Sequence, residues 1–290
     1  WVAIATTCIT SSMFLTALAP NLLAVDLIAK TSGHVITWGE WAGVMLPLMV
    51  PLFLLTPWLA YVIYPPTQKN SPEAPAWAAE ELKTLGAITF KEYLMAGLAT
   101  VALFLWIFNK EFGVDSTTVA IAIVSVMVLT NVITWDDLIS NKAAFNVLIW
   151  FASLVAMASG LQKVGVLAWI GANTQELLSG MSPTTLMLSL LILFFLLHYF
   201  FASVTAHVTA LIPIFMAIAV NLLTPEQIVP FTIILAGSLG VMGIITPYAT
   251  GPSPIWYGAG YISQGRWWAL GAIFGVLYLG VIILGALIFI

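Results

Sequence analysis

The chain has 290 residues, of which 61% are apolar and only 7% are charged, and its formal net charge at neutral pH is −4. Soluble domains carry about 25% charged residues, so this composition excludes a water-soluble protein and predicts an integral membrane protein. Eight basic residues against twelve acidic ones provide no basic surface, which excludes nucleic-acid binding.

Charged residues divide the chain into long uncharged stretches, most of them long enough for one membrane-spanning helix. They cover residues 1–25, 41–68, 93–109, 116–135, 143–162, 177–225, 227–265 and 267–290. Because these runs are continuously apolar rather than alternating, they favour an all-α membrane protein over a β-barrel. Stretch 177–225 is predicted to hold two spans or a re-entrant hairpin, and stretch 227–265 a helix that breaks and resumes.

Two polar segments separate the apolar stretches. The segment 65–92 contains several prolines and charged residues. We expect it to connect two halves of the chain, with a short amphipathic surface helix starting near Pro75. A second polar joint at 135–142 is predicted to form an interfacial helix with Trp135 at the lipid headgroups, where tryptophan is enriched.

Three helix interruptions are predicted where prolines or small hydroxyl residues cluster: the first at residues 16–21, the second at 246–254 and the third at 201–209. Proline removes a backbone donor, and in hydrocarbon the freed backbone groups must find partners or line a cavity. The N–H groups that begin an interrupted helix attract anions, an arrangement used by secondary transporters. We interpret Pro20–Asn21 and Pro252–Ser253 as paired breaks at a binding site, with ordinary proline kinks as the alternative.

At these interruptions, and over the whole chain, the sequence resembles the divalent anion/sodium symporter family of di- and tricarboxylate transporters. The residues that carry the resemblance are the stretches 198–207 and 245–252 and the pair Pro20–Asn21. They are most similar to the exchanger branch, which holds bacterial citrate/succinate and tartrate/succinate antiporters and plastid 2-oxoglutarate/malate translocators. The resemblance implies two inverted repeats, each with a re-entrant hairpin and a broken helix.

The resemblance also implies how the chain is divided. Residues 1–64 would end the first repeat, 65–92 would connect the repeats, and 93–290 would form the second repeat. That repeat would contain a hairpin at 183–223 and a broken helix at 227–263. The family's first hairpin would precede Trp1, so we expect the chain to be truncated at its N-terminus.

The resemblance implies a substrate site formed by the hairpin tip and the two breaks. We expect it to contain Thr16, Pro20, Asn21, Ser203, Val204, Thr205, His207, Ala249, Thr250, Gly251, Pro252 and Ser253. Val204 stands where the family's hairpin tip has asparagine, and Ser253 where its break has asparagine. Because valine has no side-chain oxygen for a cation, we expect sodium-independent exchange, with no cofactor and no bound metal.

Hydroxyl groups and one histidine supply the predicted binding chemistry. Ser203, Thr205 and Thr250 each offer a hydroxyl donor to a carboxylate oxygen. His207 is predicted to carry the positive charge that a bound cation would otherwise supply. His198 is expected to hydrogen-bond within the hairpin.

The sequence therefore predicts a carrier of di- or tricarboxylates. By resemblance it would be a homodimer working by an elevator movement in a bacterial inner membrane, or else in a plastid inner envelope. The alternatives within transport are a sodium-coupled dicarboxylate symporter and a related ion transporter. A membrane-embedded enzyme is a further alternative, but the sequence contains no nucleophile motif, metal-binding spacing or phosphate-binding loop that would support one.

Overall fold

The computed structural model describes residues 1–142, individual positions between 144 and 173, and residues 180–289. Helices with both ends in this part of the chain are α1 Val2–Met13, α2 Ala19–Ser32, α3 Trp38–Ile63, α4 Ala74–Leu85, α5 Phe90–Ile107, α6 Asn109–Phe112, α7 Ser116–Leu129, α8 Trp135–Ile139, α9 Pro183–Leu197, α10 Val204–Leu222, α11 Pro225–Val241, α12 Ser253–Gly258 and α13 Gln264–Phe289. Three 3-10 turns cover Leu15–Ala17, His198–Phe200 and Met242–Ile244. Among the described residues there is no strand.

In the part of the chain that the structure describes, six segments are long and apolar enough to cross a membrane. They are α3, α5, α10 and α13, together with α9 and α11, each extended by its 3-10 turn. The prediction of an all-α membrane protein is therefore confirmed. The predicted span at 143–162 falls largely outside the described residues.

The chain forms two compact units, one made of residues 1–60 and 148–290 and the other of residues 61–147. In the second unit α5 packs against α7, and Trp106 Nε1 donates to the Ser116 carbonyl at 3.1 Å. The same unit contains the exposed helix α4, on which Lys83 pairs with Glu80 at 2.8 Å. The first unit contains all three predicted helix interruptions.

Helix α11 forms the core of the first unit, and every residue from 231 to 241 is buried. It packs against α1, α2, α9 and α13, while α10 lies along α2. Glycine allows the closest of these contacts. A Cβ atom at Gly240 would lie 2.5 Å from the backbone nitrogen of Ser12, and one at Gly237 would overlap the thioether of Met45.

Three hydrogen bonds join α1, α3 and α13 to one another inside the apolar core. Trp41 Nε1 donates to the Ser12 carbonyl at 3.0 Å. The Tyr278 hydroxyl lies 3.2 Å from the Thr56 hydroxyl and donates to the Ala5 carbonyl at 3.4 Å. These bonds satisfy polar groups that would otherwise be buried without partners.

Candidate functional site

The first predicted interruption separates α1 from α2. Phe14 and Leu18 both adopt extended backbone conformations on either side of the 3-10 turn. The predicted interruption extends to Asn21, but the helix already resumes at Ala19. The reason is that proline is tolerated in the first turn of a helix, where its missing N–H has no intrahelical partner to lose, so Pro20 belongs to α2.

Asn21 connects the two sides of this first break. Its side-chain nitrogen donates to the carbonyls of Ser11 at 2.9 Å and Phe14 at 3.3 Å. The residue is fully buried, and its side-chain oxygen has no hydrogen-bond partner within the described chain. The amide thus provides a donor for the Ser11 carbonyl in the last turn of α1, while the Phe14 carbonyl also accepts from the Ala17 N–H at 3.0 Å.

The second predicted interruption separates α11 from α12. After the turn Met242–Ile244 the chain is irregular until α12 begins at Ser253. The buried Ser253 hydroxyl donates to the Gly243 carbonyl at 3.3 Å. Asn21 and Ser253 each follow a proline directly, and each bonds a carbonyl ten residues earlier, so the two breaks share one local arrangement.

The two breaks also contact each other. The Ser12 hydroxyl accepts a hydrogen bond from the Val241 N–H at 3.0 Å. A Cβ atom at Gly243 would lie 2.9 Å from Thr250 Cγ2 and 3.3 Å from Cys8 Sγ, so α1 lies close to the second break. The end of α1 and the region around Thr250 therefore converge in the core of the first unit.

The third interruption divides stretch 177–225 into α9 and α10, which confirms that this stretch holds two helices. Phe201 and Ser203 are extended, and the Ser203 hydroxyl caps α10 by accepting from the Ala206 N–H at 3.4 Å. Val204 is buried and contributes no side-chain oxygen.

His198 and Tyr248 join this third interruption to the second break. His198 Nε2 donates to the Ala249 carbonyl at 2.9 Å. The Tyr248 hydroxyl donates to the Tyr199 carbonyl at 3.1 Å. We had expected His198 to hydrogen-bond within the hairpin, but its Nε2 partner lies 51 residues away in the chain.

His207 lies in the first turn of α10 and is fully buried. Its ring is 4.3 Å from that of Phe194, 4.9 Å from that of His198 and 5.1 Å from that of Phe201, measured between centroids. Neither ring nitrogen has a hydrogen-bond partner among the residues the structure describes. The imidazole is therefore enclosed by aromatic rings, whereas Ser203 is exposed.

The other predicted site residues differ in their exposure. Thr16, Ser203 and Gly251 are exposed; Thr205, Thr250 and Pro252 are half-buried; Pro20, Asn21, Val204, His207, Ala249 and Ser253 are buried. A separate cavity of about 300 Å³ lies between α3 and α13, lined by apolar side chains such as Leu52 and Leu277. That cavity contains none of the predicted site residues.

Sequence reasoning assigned no role to Ser12, Tyr199 or Tyr248, all of which connect the interruptions. Ser12 lies in a polar run with Thr10 and Ser11 shortly before the first predicted break, and Tyr248 lies within the second. Their location at the breaks is the sequence feature that could have identified these residues. Their partners were not predictable, because Ser12 and Val241 are 229 residues apart.

Comparisons with known proteins agree with the resemblance seen in the sequence. The family described as the sodium:sulfate symporter transmembrane region matches residues 1–289. The chain is 46% identical over 289 residues to the L-tartrate/succinate antiporters of Escherichia coli K12, Shigella boydii serotype 4 and Shigella flexneri. The match covers 99% of this chain and 59% of each antiporter. The chain belongs to this family, the divalent anion/sodium symporters.

Proposed function

We propose that the protein is a secondary transporter that exchanges dicarboxylates or tricarboxylates across a bacterial inner membrane. The substrates we infer are of the succinate, malate, tartrate, citrate or 2-oxoglutarate type. The observation that carries the proposal is the convergence of two helix breaks in one core, one directly before the first turn of α2 with Pro20 and one that contains Pro252, joined by the Ser12–Val241 hydrogen bond. The similarity to L-tartrate/succinate antiporters supports the substrate class and the mode of transport.

Binding requires donors that replace the water around a carboxylate. The hydroxyls of Thr205 and Thr250 are half-buried, and neither forms a hydrogen bond with another described residue. Ser203 adds an exposed hydroxyl at the start of α10. Each hydrogen bond to a charged group contributes about 1.5–3 kcal/mol, so three such donors offset a substantial part of the dehydration cost.

A positive charge is also required, and His207 is our candidate for it. In the described part of the chain no carboxylate lies within ion-pair distance of this ring, so a substrate carboxylate would be its counter-charge. At 4 Å and an effective dielectric constant of 20 that interaction contributes about 4 kcal/mol. Without substrate the charged ring would be buried and unpaired, which would disfavour the return of an empty site and favour exchange.

The homodimer and the elevator movement are further parts of the proposal, and their support is the family resemblance alone. Sodium coupling is the second candidate mode, because the matched family is described as a sodium:sulfate symporter region. The Val204 side chain argues against it, since it supplies no oxygen ligand at the hairpin tip. The membrane-embedded enzyme receives no support, because the named relatives are antiporters.

Exchange in proteoliposomes tests the proposal. Vesicles containing the purified protein are loaded with unlabelled succinate, tartrate, malate, citrate or 2-oxoglutarate, and uptake of labelled succinate is measured with and without sodium. We expect uptake only into vesicles loaded with a counter-substrate, and equal uptake in the presence and absence of sodium. Sodium-dependent uptake into empty vesicles would contradict antiport and support the sodium-coupled symporter. If uptake never exceeds that of protein-free vesicles, the transport proposal is wrong.

His207→Asn tests the charge assigned to the histidine. Asparagine is neutral at every pH, so we expect the variant to exchange more slowly or to transport substrate into empty vesicles. The measurement is initial uptake into loaded and empty vesicles, with His34→Asn as a control histidine in the turn between α2 and α3. Exchange kinetics equal to those of the unchanged protein would remove His207 from the mechanism.

A further inference from the structure

Two side chains form a reciprocal pair of hydrogen bonds between the α9–α10 interruption and the second break. His198 donates to the Ala249 carbonyl at 2.9 Å, and the neighbouring Tyr248 donates back to the Tyr199 carbonyl at 3.1 Å. Each segment therefore supplies one side-chain donor and one backbone acceptor. The two bonds connect adjacent residue pairs that are about 50 positions apart in the chain.

The His198 bond is placed where it is difficult to replace. Both His198 and Ala249 are fully buried, so water cannot take over either role if the bond is broken. Because a carbonyl accepts and cannot donate, the bond also fixes the hydrogen of His198 on Nε2. An unpaired carbonyl in this position would carry its full desolvation cost.

The pair is supported from one side by α13. The Trp268 indole stacks with the Tyr199 ring at 6.3 Å and an interplanar angle of 11°. It also meets the Tyr248 ring edge-on at 6.0 Å and 68°. Because α13 is an unbroken helix of 26 residues, it offers a rigid support to a short 3-10 turn and to an irregular segment.

We propose that His198 and Tyr248 are positioning residues, whose reciprocal hydrogen bonds hold the α9–α10 interruption and the second break in fixed register. The functional part of this proposal rests on the proposed carboxylate exchange. Ser203 and Thr205 follow His198 and Tyr199 in the chain. Thr250 and Gly251 follow Tyr248 and Ala249. With both bonds intact, the donors of the two segments approach the same substrate from fixed directions.

Amide hydrogen exchange measures the connection without any transport assay. In the reconstituted protein, His198→Phe keeps an aromatic ring but removes the donor. We expect amide exchange at residues 249–251 to become about tenfold faster, as expected for loss of a hydrogen bond whose acceptor stays buried. Tyr248→Phe, which removes a single hydroxyl, should accelerate exchange at residues 199–203 in the same way.

Two amides at position 198 provide the matched comparison. The side-chain nitrogen of glutamine lies about as far from Cα as Nε2 of histidine, whereas that of asparagine corresponds to Nδ1. His198→Gln should therefore keep amide exchange at 249–251 within about twofold of the unchanged protein, while His198→Asn should resemble His198→Phe. This difference separates the hydrogen bond from a general need for a polar residue.

Transport supplies the second measurement. We expect His198→Phe and Tyr248→Phe to raise KM for succinate about tenfold, with a smaller change in the maximal exchange rate, and His198→Gln to restore KM. If the unchanged protein exchanges no carboxylate, the proposed function fails, but hydrogen exchange still decides the connection. Unaltered hydrogen exchange in both His198→Phe and Tyr248→Phe would show that these bonds do not hold the two segments in register. An unaltered KM despite faster hydrogen exchange would show that the two residues do not position the substrate donors.

Discussion

The two helix breaks are built on the same plan but are supported differently. The first spans only residues 14–18, and Asn21 connects its two sides by two hydrogen bonds. The second is irregular from 245 to 252, and Ser253 supplies a single bond of 3.3 Å. A longer break with a weaker internal bond depends more on contacts from elsewhere, and His198 and Tyr248 provide them.

The largest effect is expected where the two breaks meet. Gly240→Ala places a Cβ atom 2.5 Å from the Ser12 nitrogen and 2.7 Å from the Ser11 carbonyl carbon, and neither backbone atom can move away easily. We expect a loss of about 3 kcal/mol in the free energy of unfolding, as for overpacking in a rigid core. Thermal unfolding in detergent measures it. Gly251→Ala is the control, because a Cβ atom there meets nothing within 4 Å, and equal losses in both variants would contradict the contact.

Asn21→Leu tests the internal support of the first break. Leucine has a similar shape but donates nothing, so the carbonyls of Ser11 and Phe14 lose a partner. The substitution also removes the unpartnered side-chain oxygen, which reduces the cost. We expect a net loss of about 2 kcal/mol, again from thermal unfolding. A stability equal to that of the unchanged protein would show that the Asn21 bonds contribute nothing.

Ser253→Ala is expected to have the smallest effect of the three. It removes one hydrogen bond at 3.3 Å, so we expect a loss of about 1 kcal/mol. Combining it with Tyr248→Phe sharpens the comparison, because both variants weaken the same break. Their combined loss should exceed the sum of the single losses, whereas Asn21→Leu and Tyr248→Phe should add. Strict additivity in both pairs would contradict the dependence of the second break on outside contacts.

The sequence predicted where the chain would break because local rules determine it. Prolines beside small polar residues indicated the interruptions near Pro20 and Pro252. Stretch 177–225 is too long for one span, so it was predicted to hold two spans or a re-entrant hairpin. Proline alone does not indicate a helix interruption, since α3 continues through Pro47, Pro51 and Pro57. Pro47 and Pro51 stand between large apolar side chains, where surrounding groups can accommodate a distorted helix without opening it.

The contacts between interruptions lay outside the reach of sequence reasoning. The bond from His198 to Ala249 and the aromatic rings around His207 depend on how α9, α10 and the second break pack together. No local pattern encodes that packing. A single sequence offers the polar residue as a signal, but the partner is a consequence of the tertiary fold.

The hydrogen bonds of Trp41 and Tyr278 have a consequence for movement. They attach α1 to α3 and α13 at sites where the surroundings are apolar and fully buried. Sliding α1 alone would leave the Trp41 indole N–H without an acceptor and would reduce the partners of the Tyr278 hydroxyl to Thr56. We therefore expect any displacement of α1 during a transport cycle to carry α3 and α13 with it as one body.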